Sequence, residues 1–278
     1  MKNLFFFKHI LNHKYIRNLI KCFMFFLVFL GVTSCQKVIQ INLNAASPQI
    51  VIEGNISDQP GPYTVSLSQT INFSEVTGFP PVTGANVTIK DYSGNTETLT
   101  ETSPGKYVTS VLQGIPGRTY TLTVIANSKT YTATSTMANP VNIDSLVYLS
   151  SGFDGDKTWM ARVLDPPGIV NYYAIFVAVN NVVQSNFSTA DDKLRDGDTL
   201  DLRIPIPHDI ILTPGDSVQV ILESIDSGVR EYFRLLRLLD RQGGIQSAPP
   251  ANPITNLSAG ALGYFSAHAD RKKILVIP

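Results

Sequence analysis

Side chains able to do covalent or metal chemistry are few in this chain and unevenly placed. Cys22 and Cys35 are its only cysteines, and His9, His13, His208 and His268 its only histidines. Beyond residue 35 there is therefore no disulfide framework, no cysteine-based zinc site and no thiol nucleophile, and two histidines are too few for a multi-histidine metal centre. Gly-x-Ser-x-Gly, His-Glu-x-x-His, the P-loop and the dinucleotide fingerprint are all missing. Carboxylates are plentiful, and a glycosidase needs only a pair of them at a suitable separation, so a glycan hydrolase stays open on composition. The expectation is nonetheless a non-enzymatic protein without a cofactor, because small β-rich accessory domains more often bind than catalyse.

Hard oxygen ligands gather on two stretches, Asp154-Gly155-Asp156, and Asp191-Asp192 followed by Asp196-Gly197-Asp198. Ca²⁺ takes about six to eight oxygens, and neither stretch follows the EF-hand pattern. Asp-Gly is also an ordinary turn former, so solvated turns are expected, with Asp154, Asp156, Asp196 and Asp198 the ligands to check for calcium. For recognition, the sole tryptophan, Trp159, offers a rigid face with a polar N–H that stacks on a sugar or anchors a partner; in a core it does neither. Tyr172, Tyr173, Tyr264 and Phe265 raise the same alternative. Gly260 and Gly263 let a backbone come close, whether a partner's or the chain's own.

These residues belong to an exported chain. Lys21 is followed by eleven apolar or small residues, Cys22 to Val32. A membrane-crossing helix needs about 20 apolar residues, whereas a signal-peptide core needs only about 7 to 15 behind positive charge. Val32-Thr33-Ser34-Cys35 resembles the lipobox of bacterial lipoproteins, an aliphatic residue and two small ones before the cysteine. The resemblance implies a diacylglycerol on the Cys35 thiol, cleavage before that residue and acylation of the new amino group. Two or three acyl chains anchor stably where a single one is marginal. Residues 1–34 are thus a lipoprotein signal peptide and residues 35–47 a tether. The leader holds Lys2, Lys8, Lys14, Arg17 and Lys21 and no acid, which leaves 17 bases against 22 acids downstream, a net charge of −5. That balance argues against a nucleic-acid partner.

From residue 48, period-2 alternation dominates. Ile50–Ile56 reads as a strand, Asp58–Pro62 as a turn, and Tyr63–Gln69 as a strand with Tyr63, Val65 and Leu67 on one face. Gly78, Pro80, Pro81 and Gly84 mark a long loop. Tyr120, Leu122 and Val124 alternate with threonines before Asn127-Ser128, the clearest hairpin signal. Asn139-Pro140 breaks the pattern. Asn171–Val179 is nearly continuous in apolar residues, as a strand buried on both faces would be. Residues 227–241 place Val229, Tyr232, Phe233 and Leu236 at helical spacing. The expected fold is all-β, with two β-sandwich-like domains in tandem. A prealbumin- or Ig-like sandwich spans 48–138, and a β-rich domain with one amphipathic helix spans 139–278. Gly260–Ala267 is set aside as an interaction segment, and Lys273–Ile277 closes the chain as a last short strand.

The stretches Ser34-Cys35-Gln36-Lys37, Ile52-Glu53-Gly54-Asn55-Ile56-Ser57-Asp58, Gly61-Pro62-Tyr63, Gly117-Arg118-Thr119-Tyr120 and Gly260 to Ala267 together resemble the DUF4249 family, lipoproteins of the Bacteroidota without an assigned activity. The resemblance spans nearly the whole mature length and supplies no catalytic residues. Such proteins are commonly encoded beside TonB-dependent outer-membrane receptors. What this implies is an accessory lipoprotein, lipid-anchored at the outer membrane through Cys35, that helps a receptor take up a glycan or small nutrient. The alternative is a surface adhesin or glycan-binding lipoprotein acting alone, with Trp159 or a tyrosine pair exposed.

Overall fold

The computed structural model describes residues 47–71, 78–150, 157–240 and 252–278, together with Arg17, Asn18, Lys21, Phe23 and Met24, which are helical and exposed. Val32, Thr33, Ser34, Cys35, Asp154 and Asp156 lie outside the described residues. Among the described residues no helix is long and apolar enough to cross a membrane.

Alternation of β-branched or aromatic with polar residues produces strands through most of the chain, because such side chains pack well on a half-buried pleated surface. In chain order the elements are β1 (Ile50–Ser57), β2 (Thr64–Gln69), β3 (Asn86–Asp91), β4 (Thr96–Thr98), β5 (Thr100–Ser103), β6 (Lys106–Val108), β7 (Thr119–Ala126) and β8 (Lys129–Thr136). They continue with β9 (Ile143–Ser150), β10 (Lys157–Leu164), β11 (Tyr172–Val179), β12 (Val182–Asp191), β13 (Thr199–Arg203), β14 (Ser217–Ile225), α1 (Ser227–Asp240) and β15 (Leu262–Val276). Among the described residues from 47 onward, the fold is all-β with one helix. Asn127 and Ser128 turn β7 into β8 with φ of 50° and 59°, the left-handed pair that a tight hairpin requires. Asn180 and Asn181 do the same between β11 and β12, with φ of 49° and 65°. That second hairpin is absent from the sequence reading. β12 is an edge strand whose Val182, Val183, Ser185 and Asn186 are exposed, so no apolar alternation marks it.

Among the described residues the strands form three sheets. An eight-stranded sheet runs β12-β11-β14-β15-β1-β2-β6-β5; a four-stranded sheet runs β4-β3-β7-β8, and a three-stranded one β13-β10-β9. Ile52, Ile56, Val65 and Leu67 of the large sheet share a core with Val87, Ile89, Leu122 and Val124 of the four-stranded one. Tyr173, Ile175, Val220 and Leu222 share another with Ala161, Val163, Leu200 and Leu202 of the three-stranded one. Two sandwiches thus share one long sheet. β11 is the interior strand expected, buried along nearly its whole length between β12 and β14.

The end of the chain corrects the expected division. Lys273–Ile277 is no isolated strand: residues 262–276 form one strand of 15 residues, which also takes in most of the Gly260–Ala267 segment. Its first half pairs in parallel with β1, Val51 opposite Leu262 through Ser57 opposite His268. Its second half pairs antiparallel with β14, Ser224 opposite Ala269 through Ser217 opposite Val276. Phe265, Ala267 and Ala269 accordingly belong to the core of the first sandwich, although they lie beyond the 138/139 boundary. Gly263 is where this pairing is tightest. Its φ is +96°, and a Cβ there would sit 2.0 Å from the Ile52 carbonyl oxygen. Gly263→Ala is expected to destabilise the protein by on the order of 3 kcal/mol or more, read from the urea midpoint. Gly260→Ala, with nothing within 4 Å of the added carbon, costs less than half as much; equal losses at both positions would contradict this account of the strand pairing.

Candidate functional site

α1 begins at a well-made cap. Asp226 Oδ1 accepts the Val229 N–H at 2.9 Å, and Asp226 Oδ2 accepts the Ser135 hydroxyl at 2.5 Å and the Thr136 N–H at 3.2 Å. The helix start is therefore tied to β8. Its apolar residues Val229, Tyr232, Phe233 and Leu236 then pack on the outer face of the large sheet, against Ala174, Phe176, Phe187, Ile225 and Tyr264. Phe233 is the centre of this layer, with ring centroids 5.9 Å from Phe176, 5.3 Å from Phe187 and 5.0 Å from Tyr264.

Where the helix leaves the sheet, a groove of about 640 Å³ opens between α1, the middle of β12 and the segment after β13. Phe187, Ile206, Leu236 and Leu239 supply apolar walls, while Arg203, His208 and Arg237 bring positive or protonatable groups, and Ser185 and Asn186 add hydroxyl and amide. Apolar walls carrying a few polar groups are the composition of a ligand site. Sequence reasoning missed it because its residues come from three separated segments, one of them the unrecognised edge strand.

Below the helix the same face becomes polar. β15 turns Tyr264, Ser266, His268 and Asp270 to one side, and the register sets Glu223 of β14 opposite Asp270. His268 is 5 % exposed; its Nδ1 lies 2.9 Å from the Ser266 hydroxyl, and its Nε2 lies 3.7 Å from Glu223 and 3.3 Å from Asp270 Oδ1. Asp270 Oδ1 is buried without a hydrogen-bond partner. Burial pushes Glu223 up to about 6, with His268 opposing and Asp270 adding to the shift. Burial also pushes Asp270 up to about 6, against the attraction of Lys272. Asp58 goes the other way: despite burial, the Arg271 guanidinium at 2.7 Å and the Asp270 N–H at 2.8 Å hold it below its ordinary value.

A second ionisable cluster closes the far end of the second sandwich. Asp165, Asp192 and Asp196 place ligand-capable oxygens within 4.8 Å of one another. Asp165 Oδ1 accepts the Tyr173 hydroxyl at 2.5 Å and Oδ2 the Gly197 N–H at 3.1 Å. Asp192 Oδ2 accepts the Asn171 N–H at 2.9 Å, and both Asp196 oxygens receive the Gly168 N–H at 2.9 and 3.0 Å.

The residues singled out from sequence are scattered across this architecture. Tyr173 and Phe265 are fully buried and cannot form an interaction surface. Burial and the Asp165 carboxylate carry the Tyr173 hydroxyl far above its usual pKa. Tyr264 lies under α1, its hydroxyl accepting from Asn55 at 3.1 Å, and Gly263 is filled against β1. Tyr172 is half-buried beneath the Lys193 ammonium, 5.8 Å from its ring centre, while Gly260 is exposed. Trp159 is half-buried at the edge of the second core and packs against Tyr148, their rings tilted at 41° with centroids 5.0 Å apart; Tyr148 is 53 % exposed. Asp198 is exposed and pairs with Arg195 at 3.8 Å, whereas Asp196 joins the acidic cluster.

The chain belongs to the DUF4249 family, described as a domain of unknown function, whose profile matches residues 36–274. Among curated proteins none matches the chain. Among solved structures it is similar to a two-domain fibronectin type-III segment of chicken tenascin, at 16 % identity and a TM-score of 0.21, covering 65 % of this chain and 91 % of that one.

Because Glu223 and Asp270 hold their protons more tightly folded than unfolded, they contribute most stability below their unfolded values of 4.5 and 3.8. That contribution is lost as pH rises through about 6. Glu223→Gln is therefore expected to stabilise the protein at pH 8 by on the order of 1–2 kcal/mol and to change little at pH 4, as measured by thermal unfolding.

Proposed function

We propose that the chain is a non-enzymatic envelope lipoprotein of a member of the Bacteroidota, anchored at the outer membrane through acylated Cys35, that serves a TonB-dependent receptor as an accessory binding subunit in nutrient uptake. The observation that carries this reading is the groove between α1 and β12, where the exposed Arg203 guanidinium and His208 imidazole stand at the rim of walls built from Phe187, Leu236 and Leu239. Such a surface suits an anionic or amphipathic nutrient, or an acidic segment of the receptor, and needs no reacting group. The lipobox and family membership support the location. A crosslinked pull-down from native membranes tests it. The wild-type chain is expected to bring down a β-barrel receptor, and Cys35→Ala to lose it. Arg203→Glu with His208→Glu, two exposed positions, should lower recovery by roughly tenfold. Lipidated protein that reaches the outer membrane and recovers no barrel would refute the accessory role.

A second reading, an independent glycan-binding lipoprotein, draws on one specific feature, the Tyr148–Trp159 pair at the edge of the second sandwich. If this pair stacks on sugar rings, Tyr148→Ala should weaken polysaccharide affinity by roughly threefold to tenfold without any receptor present. Unchanged affinity on a glycan array removes that reading.

A further inference from the structure

We infer that Asp165, Asn171, Asp192 and Asp196 form a calcium site at the end of the second sandwich, independent of the groove. Three carboxylates within 4.8 Å of one another are not by themselves a site. What distinguishes this cluster is Asp192 Oδ1, a buried oxygen without a hydrogen-bond partner on a residue 1 % exposed whose carboxylate lies against that of Asp165; Asn171, whose N–H holds the other Asp192 oxygen, is 5 % exposed and its own Oδ1 is likewise buried and unpaired. Both are acceptors, so only a proton donor or a cation can satisfy them, and an unsatisfied buried acceptor costs about 1 to 3 kcal/mol. The neighbouring cations are engaged elsewhere: Arg195 with Asp198, Arg230 with Asp191, and Lys193 over Tyr172.

The backbone presets the donor set. Asn171 stands just before β11 and Asp192 just after β12, and the Asn171 N–H fixes Asp192 Oδ2, leaving Oδ1 open. Asp165 is braced by Tyr173 and Gly197, and Asp196 by Gly168, each carboxylate oxygen keeping a further lone pair. Three carboxylates, an amide carbonyl and water are a hard-oxygen set. They favour Ca²⁺, which tolerates irregular geometry, over Mg²⁺, which demands a near-ideal octahedron, and over softer metals. Consistent with a cluster short of positive charge, burial and the adjacent Asp165 raise the Asp192 pKa. A bound ion would fasten the β10–β11 turn to the β12–β13 turn.

The full-length chain in detergent, stripped of divalent ions with a chelator, is titrated with calcium chloride by calorimetry and by thermal unfolding. One Ca²⁺ per chain is expected, with Kd on the order of 10⁻⁴ to 10⁻³ M, as in extracellular modules. At ten times Kd the melting temperature should rise by about 3 to 6 °C. Terbium substituted for calcium should show tyrosine-sensitised emission through Tyr173. Asp192→Asn preserves side-chain shape, and Asp196→Ala removes an exposed ligand that the core does not need; each should weaken binding by roughly tenfold or more. The assignment is overturned by no heat and no thermal shift at calcium well above that range, by Mg²⁺ binding as tightly as Ca²⁺, or by unchanged affinity in both variants. It also falls if the chelated Asp192→Asn protein melts higher than wild type while wild type takes up no calcium, which makes the cluster a proton-sharing carboxyl pair.

Discussion

Strand β15 is the constraint on which the rest of this molecule depends. It supplies hydrogen-bond partners to β1 over one half and to β14 over the other, so neither sandwich completes its large sheet without it. Its first half fills a core, through Phe265 and Ala267, while its less buried second half reaches β9, Lys273 donating to the carbonyls of Ile143 and Asp144. Parallel pairing of the chain's first described strand with its last also carries a high loop-closure cost, which only burial of both faces repays. The sandwiches are consequently parts of one continuous sheet and not beads joined by a flexible linker.

The polar groups along this sheet follow from the same geometry. Where β15 passes from β1 to β14, Asp58 accepts the Asp270 N–H that β1 no longer reaches, and Arg271 closes the pair. His268, Glu223 and Asp270 then lie on the outer face of the crossing point, buried enough that two carboxyls resist ionisation. Such a network is costly in a low-dielectric setting unless its members are satisfied. It sits at the junction between the two pairings of β15, while the groove and the acidic end lie away from it.

The groove and the acidic cluster both arise where the shared sheet stops. α1 covers the apolar outer face only as far as Leu236 and Leu239, and the uncovered margin beside β12 becomes the groove. At the opposite end of β12 the strand runs into Asp192 and the acidic cluster. An edge strand left exposed invites unwanted pairing. Here its polar outer residues, Ser185 and Asn186 among them, and the neighbouring helix limit that.

Much of the fold was legible in the residues themselves. The alternation at Ile50–Ile56 and Tyr120–Val124, the continuous apolar run of β11, the Asn127-Ser128 hairpin and the helical spacing of Val229, Tyr232, Phe233 and Leu236 all reflect local periodicity, which sequence encodes directly. Less was legible of the sites. Tyr173 and Phe265 looked like faces for a partner and are core, since an aromatic in a strand reads alike whether a sheet covers it or solvent does. Asp196 was marked as an oxygen ligand, but its companion Asp165 comes from another turn, and only the pairing of β11 with β12 brings the two turns together. The sequence by itself determined strands, turns, helix and the expectation of a lipid anchor, because each depends on neighbours a few residues apart. The tertiary structure alone decided that the last strand joins both sandwiches, which aromatics are hidden, and where the groove and the acidic cluster lie. Those outcomes depend on long-range register, which no local pattern records.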